Sequence, residues 1–146
     1  MKILLINGPN LNLLGSRETE KYGDLSLKEL ESKLRSIAED QDCELHCFQS
    51  NSEEKIINEI HGASVENIGV IIINPAAFTH TSVALLDALR SINKPKIEIH
   101  LSNIYTREEY RKKSITSEGV DGLICGFGSL SYILAIEALS NLIYNK

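Results

Sequence analysis

Apolar residues along this chain follow two alternating spacings. Short runs at residues 2–6, 44–48, 70–74, 96–101 and 122–126 read as strands, those at 2–6 and 70–74 being the richest in Ile, Leu and Val. The intervening stretches carry apolar residues three and four apart. Ser26-Leu-Lys-Glu29 matches a capping box, and Leu27, Leu30, Leu34 and Ile37 follow at helical spacing. Residues 53–62 predict a second helix with Ile56, Ile57 and Ile60 inward, and residues 81–92 a third. Thr106-Arg-Glu-Glu109 matches a second capping box, which predicts a short, highly charged helix, and residues 130–144 form an apolar-faced closing helix. Residues 11–25 show no period. An unstructured stretch of that length is uncommon in a compact domain unless functional or mobile, and with Gly15 and Gly23 as brackets, residues 16–24 are expected to move when no ligand is bound.

Five β-α units in strict alternation predict an α/β fold of three layers, a parallel five-stranded sheet with helices on both faces and right-handed crossovers. Five units favour the flavodoxin-like winding, strand order 2-1-3-4-5, in one domain over residues 1–146. That order makes strands 1, 3 and 4 neighbours. The ends of those strands carry unusual polar clusters at residues 7–10, 74–82 and 98–103. The third strand runs into Asn74-Pro75, where proline cannot donate to a ladder, and then into Thr79-His80-Thr81-Ser82. The clusters should meet in one crevice where the winding reverses, under the 11–25 loop. Arg107 and Arg111 lie one helical turn apart and can face the same way.

Composition narrows the partners. With 42% hydrophobic residues the chain of 146 is globular, and a net charge of −5 argues against a general nucleic-acid or anionic-membrane binder. A bound anion would need local arginines. The three cysteines are odd in number, and Cys43 and Cys47, about 13 Å apart along a strand, are too distant to pair. Free thiols fit a reducing cytosol. No signal-peptide pattern opens the chain, no apolar run approaches the ~20 residues of a membrane span, and no cluster has metal-ligand spacing.

The residues at these strand ends carry a resemblance. Gly8-Pro-Asn10-Leu-Asn-Leu-Leu-Gly15, Arg17, Tyr22, the run from Asn74 through His80 to Asp87, Glu98-Ile-His100-Leu-Ser-Asn103, Arg107-Glu-Glu-Tyr-Arg111 and Gly126-Phe-Gly-Ser-Leu-Ser-Tyr132 occur in order over nearly the whole chain. Together they resemble type II 3-dehydroquinate dehydratase. The resemblance implies reversible loss of water from 3-dehydroquinate, a β-hydroxy ketone, in the shikimate pathway of aromatic amino acid biosynthesis. It implies Tyr22 as base with Arg17 supplying the nearby cation, His100 as acid with Glu98 on the same strand face, and Asn10 holding a water against the enolate oxygen. Asn74, His80, Asp87 and Arg111 would bind hydroxyls and ring, the backbone N–H groups of Leu101 and Ser102 the carboxylate, and Arg107 the rim. No cofactor or metal is expected, and the implied assembly is a cytoplasmic homododecamer built from trimers. The type I enzymes use a Schiff-base lysine on a (β/α)₈ barrel, for which this chain is too short.

Other readings stand beside these. His80 also suits a cap on the third helix, Asp87 a pair with Arg90, and the two arginines a solvated face. His46 and His61 have no polar companions and read as structural. Gly126-Phe-Gly128 is a weak dinucleotide fingerprint, although residues 126–131 at a helix start suit a phosphate, so a flavodoxin-like nucleotide or flavin module without catalysis is the rival class. Many members of the family have Gly where this chain has Ala76. Because Ala tolerates positive φ poorly, the turn here is expected to keep φ negative.

Overall fold

Strands β1 (Lys2–Asn7), β2 (Glu44–Gln49), β3 (Ile68–Asn74), β4 (Lys96–His100) and β5 (Gly122–Cys125) pair in parallel in the order β2-β1-β3-β4-β5. This is the flavodoxin-like order that the alternation predicts. The computed structural model describes residues 1–16 and 19–144, without the side chains of Lys21, Tyr22, Ser140 and Tyr144. The helices are a single turn α1 (Thr19–Tyr22), then α2 (Leu27–Glu39), α3 (Glu53–Gly62), α4 (Val83–Arg90) and α5 (Leu130–Tyr144).

The period of two along each strand splits the core into two layers. Ile3, Leu5, Val70, Ile72, Ile97 and Ile99 point to one face, where Leu30 and Leu34 of α2 and Tyr132 and Ile136 of α5 cover them. Leu4, Ile6, Ile71 and Ile73 point to the other, against Ile56 and Ile60 of α3 and Leu85 and Leu89 of α4. β1 and β3 are therefore apolar at nearly every position before their polar ends. Each fully buried aliphatic side chain contributes about 1.5–3 kcal/mol of transfer free energy.

Local chemistry sets the helix ends. The Ser26 box forms as expected: its Oγ accepts the Glu29 N–H at 3.1 Å, and Glu29 Oε2 accepts the Ser26 N–H at 3.3 Å. Elsewhere the structure corrects the sequence reading. The third helix does not start at Thr81; a 3₁₀ turn, Ala76–His80, comes first, and Ser82 caps α4 by accepting the Leu85 N–H at 2.9 Å. His80 is therefore not the cap. The box at Thr106 does not form either. Asn103 begins a turn three residues earlier, its Oδ1 accepting the Tyr105 N–H at 3.1 Å, while Thr106 Oγ1 donates back to the Asn103 carbonyl at 2.9 Å. The result is two 3₁₀ turns, Ile104–Thr106 and Glu109–Arg111, separated at Arg107 by extended backbone (φ −92°, ψ −168°). Local side-chain bonding by Asn outcompetes helix propagation here.

Ala76 also departs from expectation: its φ is +52°, in the left-handed region. Pro75 is fixed at φ −70°, and Asn74 Oδ1 accepts the Ala76 N–H at 3.1 Å, so the Asn-Pro turn holds Ala76 there despite its Cβ. Left-handed backbone costs a non-glycine residue about 1–2 kcal/mol. Ala76→Gly is expected to raise stability by about 1 kcal/mol, or roughly 2–4 °C in Tm by calorimetry; an unchanged or lower Tm would show that the turn carries no strain.

All three cysteines are free, and burial, the largest cause, pushes the Cys47 thiol up to about 11. No described helix is long and apolar enough to cross a membrane.

Candidate active site

The carboxyl ends of β1, β3 and β4 meet, as the strand order requires, around a cavity of about 130 Å³. It is lined by Asn10 from the β1 turn, by Asn74, Ala76 and His80 from the β3 turn, and by His100, Leu101, Ser102, Arg107 and Arg111 following β4. Pro9, Leu11, Leu14, Ala77 and Ile104 complete the wall; none was given a role from sequence, because an apolar lining residue carries no chemistry that singles it out.

The pair Glu98 and His100 sits at the cavity floor. Both lie on β4, two residues apart on one face, and His100 Nε2 is 2.7 Å from Glu98 Oε1. Glu98 is fully buried and His100 is 5% exposed. A carboxylate only accepts, so Nε2 carries the hydrogen and Nδ1 is the nitrogen left for the cavity. Glu98 also accepts from Ser114 Oγ at 2.8 Å and from Thr116 Oγ1 at 2.6 Å. Neither hydroxyl was singled out from sequence, since each lies more than fifteen residues away and meets Glu98 only in the fold.

His80 Nδ1 lies 2.7 Å from the Lys113 carbonyl, which can only accept. Burial, with His100 and Arg111 nearby, lowers its protonation below the ordinary 6.5 despite that carbonyl. The ring is neutral at pH 7, with Nδ1 protonated and the Nε2 lone pair free to accept a hydroxyl. Because the folded value lies below the unfolded one, the stability this group contributes is present above pH 6.5 and is lost as pH falls through the folded value. An NMR titration of the His80 ring is expected to give a midpoint below 6.5; one at or above 6.5 would contradict the dominance of burial.

The two arginines are not a solvated face. The Arg107 side chain is only 12% exposed and Arg111 31%. Glu108 Oε2 lies 3.7 Å from Arg107 Nε and 2.9 Å from Arg111 Nε, and Arg107 Nη1 donates to Ser102 Oγ at 3.2 Å. A single carboxylate thus holds both cations at the rim, a role the sequence reading left to chance among its charged neighbours.

The asparagines are built into the frame. Asn10 adopts φ +69°, a conformation asparagine tolerates, and its N–H donates to Asn51 Oδ1 at 2.9 Å. Gln49 Nε2 ties Asn51 Oδ1 and the Gly8 carbonyl together, each at 3.1 Å. Asn74 Nδ2 donates to the Tyr132 hydroxyl at 3.0 Å, which donates in turn to Asn7 Oδ1 at 2.7 Å. Burial raises the Tyr132 phenol, so it stays neutral and can act as that relay.

Arg17 lies outside the described residues, as does the Tyr22 side chain; the Tyr22 backbone ends α1. The expected motion of residues 16–24 falls partly on the same residues. Asp87 is exposed on α4 and is not among the residues lining the cavity. Nor does it hold Arg90, which pairs with Glu118 at 3.4 Å. His46 stands 3.8 Å from Glu59, away from the cavity. The loop before α5 closes on itself: Gly128 N–H donates to the Leu101 carbonyl, Ser131 N–H to Gly128, and Phe127 N–H to Ser131 Oγ. Those donors are therefore engaged, which weakens the phosphate reading.

Comparison with known proteins agrees with this geometry. The family described as "Dehydroquinase class II" matches residues 1–140. A 3-dehydroquinate dehydratase of Clostridium botulinum is 54% identical over 145 residues, 99% of this chain and 98% of the relative. One from Histophilus somni is 54% identical over 140 residues, 96% of this chain and 93% of the relative. The crystal structure of type II dehydroquinase from Butyrivibrio crossotus superimposes with a TM-score of 0.94 at 44% identity, covering 96% of this chain and 97% of that one. The type II dehydroquinase from Propionibacterium acnes gives 0.92 at 38% identity, covering 96% of each chain.

Proposed function

The chain belongs to the class II dehydroquinase family, as a type II 3-dehydroquinate dehydratase, and from that premise we infer that it removes water from 3-dehydroquinate through an enolate, with Tyr22 as base and His100 as acid. The observation that carries this reading is the buried His100–Glu98 pair at 2.7 Å, facing a cavity that also holds Asn10, His80, Arg107 and Arg111.

Tyr22, as phenolate, takes a proton from the carbon beside the ketone. A free tyrosine ionises near 10, so the phenolate needs a cation, and Arg17 on the same loop supplies it. The electron pair moves onto the ketone oxygen, where a water held by Asn10 stabilises the enolate. The enolate then re-forms the carbonyl and expels the β-hydroxyl, which leaves as water after taking a proton from His100. The Glu98 carboxylate balances the charge on the doubly protonated ring while its hydrogen bond fixes the ring's direction. His80 accepts a substrate hydroxyl through Nε2, and Asn74 keeps one lone pair and one N–H for the same ligand. The substrate carboxylate lies against the backbone of Leu101 and Ser102, with Arg107 and Arg111 closing the rim. Among the described residues, none of those lining the cavity is a lysine. We place the reaction in the shikimate pathway of the cytoplasm, in a homododecamer built from trimers.

Ultraviolet absorbance on mixing protein with 3-dehydroquinate tests the reading, because the product is a conjugated enone and the substrate is not. A rise is expected that survives borohydride and is lost in Tyr22→Phe. No rise from folded, assembled protein would overturn the function, and loss on borohydride would overturn the mechanism.

A further inference from the structure

His100 can serve as acid only if Glu98 stays charged and correctly turned, and β4 alone does not ensure either. Glu98 is fully buried, and a carboxylate there is costly unless its oxygens meet donors. Besides His100 it has two: Ser114 Oγ at 2.8 Å on Oε1 and Thr116 Oγ1 at 2.6 Å on Oε2. Thr116 is itself fully buried and β-branched, so its hydroxyl points in a nearly fixed direction. The same short segment reaches the second histidine. The Lys113 carbonyl accepts from His80 Nδ1 at 2.7 Å, and the Ile115 N–H donates to the Thr79 carbonyl at 2.8 Å. Four consecutive residues therefore touch both histidine-bearing segments of the site, β4 and the 76–80 turn, without lining the cavity.

We propose that residues 113–116 are a positioning brace for the proton-transfer step, with Thr116 and Ser114 holding Glu98 in the orientation that supports a charged His100. The inference rests on the reading of His100 as the acid. Among the described residues, the other charged or titratable groups around the pair are His80 from the 76–80 turn and Arg107 and Arg111 from beyond β4. None of them is altered by removing a hydroxyl from Thr116. With Oε2 bare, Glu98 can rotate or take up a proton, and the imidazolium loses its counter-charge.

Thr116→Val removes the hydroxyl and nearly keeps the shape. Steady-state dehydration of 3-dehydroquinate across pH is expected to show kcat lower by about 10- to 100-fold with KM within about threefold, in the range for lost support of a functional group. The basic limb of the kcat profile should move to lower pH, because deprotonated His100 cannot donate, while the limb set by the base stays in place. Thr116→Ser should restore both, and Ser114→Ala should move the same limb less. A wild-type kcat and limb in Thr116→Val, a loss confined to KM, or failure of Thr116→Ser to restore the profile would overturn the brace. Should Thr116→Val not fold, the half-buried Ser114→Ala decides: an unmoved basic limb there overturns it. His100→Ala separates the two levels, since wild-type kcat in that variant would overturn the acid assignment itself. An impaired His100→Ala beside an unaffected Thr116→Val overturns only the brace.

Discussion

His100→Ala is expected to lower kcat for 3-dehydroquinate dehydration by about 10²- to 10⁴-fold, the usual contribution of a positioned general acid, with a much smaller change in KM. Hydroxide is a poor leaving group, and among the described residues lining the cavity His100 alone combines a transferable proton with a buried carboxylate 2.7 Å behind it. His80 cannot substitute, because its ring is held neutral with Nδ1 bonded to the Lys113 carbonyl. The variant also leaves Glu98, fully buried, with two donors where it had three. The missing bond should cost about 1–3 kcal/mol of stability, read separately by thermal unfolding. Assembly and fold are checked before kinetics, so that loss of structure is not mistaken for loss of the acid. A folded variant with kcat within about threefold of the parent would move the acid role to another group.

The second large effect is expected far from any titrating group. A methyl added at Gly8 would sit 2.5 Å from the Pro75 carbonyl oxygen and 2.7 Å from its carbon. Both are backbone atoms, so no side chain can turn aside. The ends of β1 and β3 would have to separate, breaking the Gly8 N–H bond to the Asn74 carbonyl at 2.8 Å. Gly8→Ala is expected to cost about 3 kcal/mol, an overpacking penalty plus a strained backbone bond, or roughly 6–12 °C in Tm. The same separation would displace Asn10 and Asn74, which stand on the two turns. A shift on the order of 1 Å in such positioning groups can cost about 10²-fold in rate, so kcat/KM should fall even at temperatures where the variant is folded. Parent-like Tm and kcat/KM would mean that the two turns relax independently of each other.

Much of the molecule was legible along the chain because its chemistry is local or periodic. Buried central strands must be apolar throughout, and a helix must keep an apolar stripe, so five strands, their helices and their alternation follow from spacing alone. Right-handed crossovers then leave few windings, and the order 2-1-3-4-5 places the three polar strand ends together. The pairing of Glu98 with His100 was also legible, since residues two apart on a strand share a face. Short-range signals misled where a competing local bond was stronger. Asn103 took the turn that Thr106 was expected to open, and the Asn74-Pro75 turn held Ala76 at positive φ.

What lay outside the sequence's reach is whatever joins residues distant along the chain. Nothing in the pattern announces that Ser114 and Thr116 would supply Glu98 with donors, that Glu108 would hold both rim arginines, or that Arg90 would choose Glu118 over Asp87 one turn away. Gly8 reads as an ordinary turn glycine, yet it must be glycine because Pro75 in the turn after β3 passes within 3 Å of where its Cβ would be. Periodicity and turn chemistry act over a few residues, so by itself the sequence determined the layers, the winding and the place of the site. Burial away from water favours pairing of polar atoms wherever the fold brings a partner, and that matching, which sets the orientation of the groups facing the cavity, was decided by the tertiary structure alone.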